Sequence, residues 1–473
     1  MPATATNLGE RLASVVDASR IATDAIALAR YAIDELTPRA AVKPSTAEET
    51  AEAVRFALRE NLSVIPIGSR SKTQIGNIPA RYDMALDMTG LNQVAHYDPG
   101  DLTVSLDAGC TLKTIASTLH PQNQFLPLPS AYGENATVAG TVASGVDSHL
   151  RQFYGTARDF LVGAEFIDGT GAPCKSGGRV VKNVTGYDLH KLLIGSLGTL
   201  GIITRLNFRT FPSLESSGSQ TETFTADFAD AKSALEFRHK IAASPFTPDA
   251  VEILSPEAVA IVASPSSGNV SPSSRNWHVV VGFHGTPELR ARYLNALSEF
   301  SQQQGGNPST ASAAFEAIAH LRTVSPFATI FKITQLPEKL PDIFAALRAA
   351  ADQVHLPHAL VARGLGITYF ALLPADPSVH LATAQAQAAL DPSDLGQVFE
   401  SAHQTIFSPL RNAATNIFKL SEEKSAAAQI LFAPTQLKRQ LQILGPDRPD
   451  TPAMRKLKSA FDPQNIFAPG RLL

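Results

Sequence analysis

The stretch "GSLGTLGIIT", Gly195 to Thr204, places a glycine at every third position and runs into an apolar segment that reads as a strand. Three side chains given up in seven residues suggest bare backbone lying close to a flat or extended ligand. The common dinucleotide fingerprint runs strand, glycines, helix. Here the order is reversed, because "YDLHKLLI" (Tyr187 to Ile194), which precedes the glycines, carries a helical pattern. Helix termination by a left-handed glycine accounts for Gly195 or Gly198 but not for all three.

Working outward, the chain has 473 residues, enough for two or three domains. Hydrophobic residues make up 44% and charged residues 18%, an ordinary globular balance. A net charge of -3 argues against a nucleic-acid-binding face. No run approaches the ~18 apolar residues of a membrane span. The start "MPATATNLGERLASVV" lacks the basic and apolar regions of a signal peptide. The simplest expectation is a cytoplasmic protein, with peripheral attachment to the inner face of a membrane through a complex left open. The two cysteines, Cys110 and Cys174, are too few for an iron–sulfur cluster, which takes about four ligands. They read as small buried residues, with a disulfide as the alternative. The histidines show no HExxH-type pairing, so no metal site is expected.

Asn7 to Tyr31 carries apolar positions at helical spacing and reads as one or two helices. The following helix is expected to be capped near Ser45 or Thr46, with Glu48 and Glu49 in its first turn. "YDPGD" joins two strand-like runs, and "FLVGAEFIDGTGAPCKSG" reads as a hairpin around Asp168-Gly169. After Thr210 the texture changes. Small polar runs such as "SPSSGNVSPSSR" separate alternating strand-like and helix-like units, a β-α-β-β-α-β rhythm that points to a second, α+β domain on an antiparallel sheet. The tail "MRKLKSAFDPQNIFAPGRLL" is a helix stopped by Pro463.

Three further segments join the glycine stretch as candidate pieces of one site. "PIGSRSK" (Pro66, Ile67, Gly68, Ser69, Arg70, Ser71, Lys72) is a strand and a small-residue turn whose N–H groups can converge on an anion, without Walker spacing. "NATVAGTVASG" (Asn135 to Gly145) contains almost nothing bulky. "YGTARD" carries Arg158 and Asp159. Read singly, these are equally an exposed turn, a tight helix–sheet contact and a surface ion pair.

Their order and spacing resemble the FAD-binding domain of the vanillyl-alcohol oxidase superfamily, the PCMH-type flavin domain. In that family a P-x-G-G-G-T-like loop cradles the pyrophosphate, and A-T-x-G-G and Y-G-x-x-x-D segments flank the flavin. A G-x-x-G-x-L-G-I-[IV]-T segment closes the site. The match covers Leu36 to Pro212, and "FDPQNIFAPGRLL" resembles the family's terminal F-D-P-x-x-x-F-N-P-G-R. "GGRVVKNVTGYDLHKLLIGSLGTLGIIT" is similar to the smaller FAD-binding subunit of bacterial glycolate oxidases, which works beside a related larger flavoprotein and an iron–sulfur protein.

The resemblance implies an α+β chain: a two-lobed PCMH-type FAD-binding domain followed by an α+β cap domain with an antiparallel sheet. The expected boundaries are an N-terminal helical segment over 1–33, the flavin domain over 34–213, the cap over 214–440, and a segment over 441–473 that returns to the flavin domain. It implies that Pro66 to Lys72 hold the pyrophosphate and that Thr137, Gly140, Ser144 and Gly145 line the flavin. Arg158 and Asp159 lie nearby, and Gly198, Gly201, Ile202 and Ile203 run along the cofactor. The first loop reads "GSRS" where the family tends to have "GGGT". Ser69 and Arg70 therefore stand where glycine reaches positive φ, at ~1 kcal/mol for each strained residue. No histidine occupies that loop, where some relatives attach flavin covalently, so the FAD is expected to be non-covalent. His149 and His190 read as ordinary polar residues.

Oxidation of a small 2-hydroxy acid such as glycolate needs a hydride acceptor, a base and a cation for the carboxylate. Arg363 and Lys332, on expected strands of the second domain, are the candidate cations, with solvent-facing positions as the alternative. No base stands out. Three readings stay open: a flavoenzyme acting on a 2-hydroxy acid, a non-catalytic flavin subunit that relays electrons or supports assembly, and a degenerate member without FAD.

Overall fold

The computed structural model describes residues 5–179, 186–213, 220–263, 275–309, 315, 317–325, 327–364, 366–374 and 406–473. The approach to the glycine stretch over 180–185, and much of the polar runs over 214–219, 264–274 and 310–314, lie outside the described residues. The chain forms two compact units. One comprises Met1–Ser148, Tyr154–Ser213 and Asp447–Leu473; the other comprises His149–Phe153 and Leu214–Pro446.

The first unit has two lobes. In one, strands β1 (Ile21–Ala22), β2 (Ala40–Val42), β3 (Val64–Ile67) and β4 (Met84–Asp87) form a sheet of order β1-β2-β4-β3. β4 runs parallel to both β2 and β3. Both faces are covered, as parallel strands require: Val42, Val64 and Leu86 enter one apolar cluster, while Ala41, Ile65, Ile67 and Ala85 enter another on the opposite face. Phe467 adds a parallel bridge beside Val64. In the other lobe, β5 (Val94–Asp98) and β6 (Thr103–Asp107) form the hairpin expected at "YDPGD". A short β7 (Gln124–Phe125) follows, then the hairpin β8 (Leu161–Ile167) and β9 (Pro173–Gly177) around Asp168-Gly169. β10 (Ile202–Arg209) is the strand entered from the glycine stretch, and it completes an antiparallel sheet β5-β6-β10-β8-β9. β11 (Phe211–Pro212) pairs with β7.

Local chemistry decides several elements. The Thr46 hydroxyl accepts from Glu49 N at the start of helix Ala47–Arg59, selecting Thr46 over Ser45 as the cap. "YDLHKLL" forms only a short 3-10 turn, Leu189–Leu193, rather than an α-helix. The N-terminal region holds helices Ala5–Leu12 and Ala25–Ala29 with β1 between them, because residues 21–22 pair with β2. Strand pairing here overrides helical spacing.

Among the described residues, the second unit holds one antiparallel sheet of eight strands. They are β12 (Gln220–Phe228), β13 (Ala250–Leu254), β14 (Trp277–Gly285), β15 (Asn307–Ser309), β16 (Thr329–Thr334), β17 (His358–Arg363), β18 (Ile367–Leu372) and β19 (Ala427–Phe432). Their order is β15-β12-β14-β13-β17-β18-β16-β19. Its long helices include Ala231–Ala242, Pro287–Gln303, Leu340–Asp352 and Ser408–Glu423. Among the described residues no helix is long and apolar enough to cross a membrane.

Candidate functional site

A cleft opens in the first unit. Three segments distant in sequence supply its walls: the turn after β3, the helix Val138–Ser144 and the glycine stretch before β10. Each is short of side chains for a steric reason. A Cβ on Gly68 would strike the Thr137 hydroxyl at the helix N-cap. Gly198 has φ +74°, and a Cβ there would lie 2.5 Å from Pro66 Cγ. Gly201 has ordinary φ but sits against Phe166, with a Cβ landing 2.9 Å from its ring. The three glycines of the stretch therefore answer three demands: Gly195 turns the chain at φ +76°, Gly198 turns it against the first loop, and Gly201 packs it onto β8.

All seven residues Pro66 to Lys72 line the cleft, as do Thr137, Gly140, Ser144, Gly198, Gly201 and Ile203. Four residues singled out from the sequence are not in the lining. Gly145 ends the helix in the left-handed region, facing Gly195. Ile202 is fully buried in the core. Thr156 is the N-cap of the helix Ala157–Phe160: Asp159 completes its capping box by accepting from Thr156 N at 2.7 Å, and Arg158 lies in the same first turn with its N donating to Thr156 Oγ1. The expected strain falls on one residue of the first loop: Arg70 has φ +66°, whereas Ser69 is not among the positive-φ residues.

The cleft is also lined by Ile33, Ile65, Met88, Ala108, Leu197 and Arg471. Ala108 follows β6 and Met88 follows β4, positions without any small-residue signal. Arg471 carries the only signal that could have been used, the final arginine of "FAPGR".

Electrostatically the cleft suits an anion. Arg70 and Lys72 line it, Arg471 lines it with its guanidinium taken up by backbone carbonyls, and among the described residues no Asp or Glu does. Lys72 is buried, donates to Ser71 Oγ at 3.0 Å and lies 5.2 Å from the Tyr132 ring centre. Narrow small-residue walls, the small-residue turn after β3 and cationic side chains in the lining fit a nucleotide with a diphosphate.

In the second unit Arg363 and Lys332 share one face of the sheet. Arg363 lies opposite Glu252, and Val361 opposite Tyr369, which in turn is opposite Lys332. Arg363 is only 2% exposed, not solvent-facing. Its Nε donates to Glu252 Oε1 at 2.5 Å and its Nη2 to Phe315 O at 3.1 Å. Burial pushes the Glu252 carboxyl up against the pull of Arg363. His149 stacks on Phe315 at 4.9 Å, and burial with the Arg363 charge lowers it to about 4, so it is neutral near pH 7. His190, in the first unit, is buried against Ser176 Oγ at 3.0 Å.

A family model described as "FAD binding domain" matches residues 38–177. A second, "FAD linked oxidases, C-terminal domain", matches residues 219–392 and 446–472. The chain is 37% identical to glycolate oxidase subunit GlcE of Escherichia coli (strain K12) over 162 residues, 34% of this chain and 46% of that one. It thus spans less than half the length of that relative. It is 22% identical to glycolate oxidase subunit GlcD of Bacillus subtilis (strain 168) over 92% of this chain and 89% of that one. Among solved structures, p-cresol methylhydroxylase with substrate bound superposes with a TM-score of 0.72 at 16% identity, covering 99% of this chain and 96% of that one, a likeness of fold.

Proposed function

The chain belongs to the FAD-linked oxidases, and from that membership we propose that it oxidises the CH–OH group of a small 2-hydroxy acid such as glycolate. In this proposal it acts as a flavin subunit of a multi-subunit glycolate oxidase, beside a related larger flavoprotein and an iron–sulfur subunit. The cofactor is FAD, and we take it to be held without a covalent bond. The observation that carries the reading is the convergence of three separated small-residue segments and the cations Arg70 and Lys72 on one cleft. The substrate class follows the relatives named for glycolate oxidation.

When bound, FAD supplies the acceptor for the hydride leaving the substrate carbon. The chain's own residues bind and orient. The turn Pro66 to Lys72 would hold the diphosphate with backbone N–H groups and the Lys72 ammonium. Thr137, Gly140 and Ser144 would present a flat wall, and Gly198 and Gly201 would let the glycine stretch close against Pro66 and Phe166 to form the facing wall. In the second unit, Lys332 is the cation we assign to a substrate carboxylate. Arg363 we assign to positioning, because its charge is already matched by Glu252.

The Arg363–Glu252 pair also favours a second reading. A cap whose buried arginine is neutralised within its own sheet suits a subunit that carries flavin and relays electrons to a catalytic partner. The visible spectrum of the purified chain, followed by anaerobic addition of glycolate without partners, separates the two. Bleaching of a yellow protein supports the first reading. A yellow protein that stays oxidised supports the relay, and a colourless protein that takes up no added FAD sinks both. Acid precipitation should release the flavin into the supernatant, and flavin retained in the pellet would contradict non-covalent binding.

A further inference from the structure

The segment 458–471 makes contacts out of proportion to its length. Arg471 is 4% exposed and its guanidinium is spent on one stretch of backbone: Nη1 donates to Asn77 O at 2.9 Å, and Nη2 donates to Thr73 O at 2.7 Å and to Ile75 O. Asp34 lies 3.5 Å away as a counter-charge. Gly76 makes room, since a Cβ there would sit 2.9 Å from Arg471 Cζ. The clamped stretch directly continues the first cleft loop, with Ile75 N donating to Lys72 O at 3.1 Å. Thirteen positions earlier, Lys458 Nζ donates to Thr199 O at 2.9 Å, between Gly198 and Gly201, and to Phe467 O at 2.8 Å. Lys458 also pairs with Asp462, whose carboxylate accepts from Ile466 N and Phe467 N. One segment thus ties together two of the three cleft walls, and it is itself fastened to β3 through Val64 N to Ile466 O at 2.7 Å and Ala468 N to Val64 O at 2.8 Å.

We propose that Arg471 and Lys458 are positioning residues for FAD: they hold the loop 66–77 and the glycine stretch 198–201 at the separation the nucleotide needs, so that FAD affinity depends on this docked segment. A cation is suited to the task because carbonyl oxygens left pointing at one another repel, and a guanidinium collects several of them in a fixed plane. The proposal rests on the FAD reading of the cleft. If the unaltered chain binds no FAD, that reading fails; if it binds FAD and the variants bind equally well, only this proposal fails.

The test measures FAD binding to the deflavinated full chain by quenching of flavin fluorescence, alongside far-UV circular dichroism and melting of the same apo sample. Arg471→Met should weaken FAD binding by about tenfold or more, equivalent to ~1.4 kcal/mol, while the apo chain keeps native circular dichroism. Arg471→Lys, which keeps charge without the planar fork, should fall between. Lys458→Met should act in the same direction through the other loop. Affinity within twofold of the unaltered chain for Arg471→Met and Lys458→Met overturns the proposal. So does a loss of affinity fully matched by a fall in apo stability, which makes the residues structural only. Should Arg471→Met fail to fold, Arg471→Lys and Lys458→Met decide by the same two criteria.

Discussion

At the scale of single residues, Arg70 and Gly198 carry opposite lessons. Arg70 is held at φ +66° on the rim of the cleft, where a glycine would be unstrained. Arg70→Gly should therefore leave apo stability unchanged or raise it by up to ~1 kcal/mol, yet weaken FAD binding severalfold through the lost charge. Urea unfolding of the apo chain and fluorescence titration with FAD read the two effects separately, and a parallel fall in both would contradict the assignment. Gly198 combines φ +74° with a Pro66 ring that an added Cβ would meet at 2.5 Å. Gly198→Ala should cost more than ~1 kcal/mol from backbone strain alone and should weaken FAD binding as the turn moves off Pro66. Both residues were visible in the sequence as a departure from, or a match to, a glycine pattern. The packing partner of each was not.

At the scale of elements, the helix Ala47–Arg59 shows how a local cap becomes a tertiary anchor. Glu49 sits in its first turn, where a negative charge is favoured, and it also takes Arg20 in a two-pronged pair with both contacts at 2.6 Å. The Arg20 hydrogen bond holds the Glu49 carboxyl down to about 2. A depressed carboxyl contributes stability above its unfolded pKa of ~4.3 and loses it as pH falls toward its folded value. Glu49→Gln should thus lower stability by about 1 kcal/mol at pH 7, since both partners stay a quarter exposed, and the difference from the unaltered chain should shrink between pH 5 and pH 2. Denaturant melts across that range check it, and a difference independent of pH would refute it. The helix start and its acidic turn are legible from "PSTAEETAEAV"; the arginine 29 positions upstream is not.

At the scale of the whole molecule, two units with separate sheets imply two unfolding transitions. FAD at 100 times its Kd should raise the stability of the unit built on β1 to β11 by about 2.7 kcal/mol and leave the other unmoved. Calorimetry with and without FAD tests this, and one merged transition that shifts as a whole would argue against it. In the second unit, Glu252→Ala strands the buried Arg363 and should destabilise that transition alone by about 3 to 5 kcal/mol. Replacing both members with methionine should recover most of the loss. The β-α-β-β-α-β rhythm made the antiparallel sheet of this unit legible. The burial of Arg363 was not, because an arginine on an alternating strand looks the same in sequence whether its partner is water or a carboxylate.

What the sequence determined by itself is local and contiguous: the turn at "YDPGD", the hairpin at Asp168-Gly169, the capped helix after Ser45, and the small-residue stretches where backbone comes close to something. Propensity, capping and φ freedom act within a few residues, so a short window carries them. Tertiary structure decided which of those stretches share a cleft. It placed Asp159 in a capping box, with Arg158 in the same helical turn, and Ile202 in the core, brought Arg471 onto carbonyls 394 to 398 positions away, and buried Arg363 against a carboxylate 111 positions before it. Such pairings depend on how sheets stack and where a late segment docks, and those are properties of packing that no window of sequence contains.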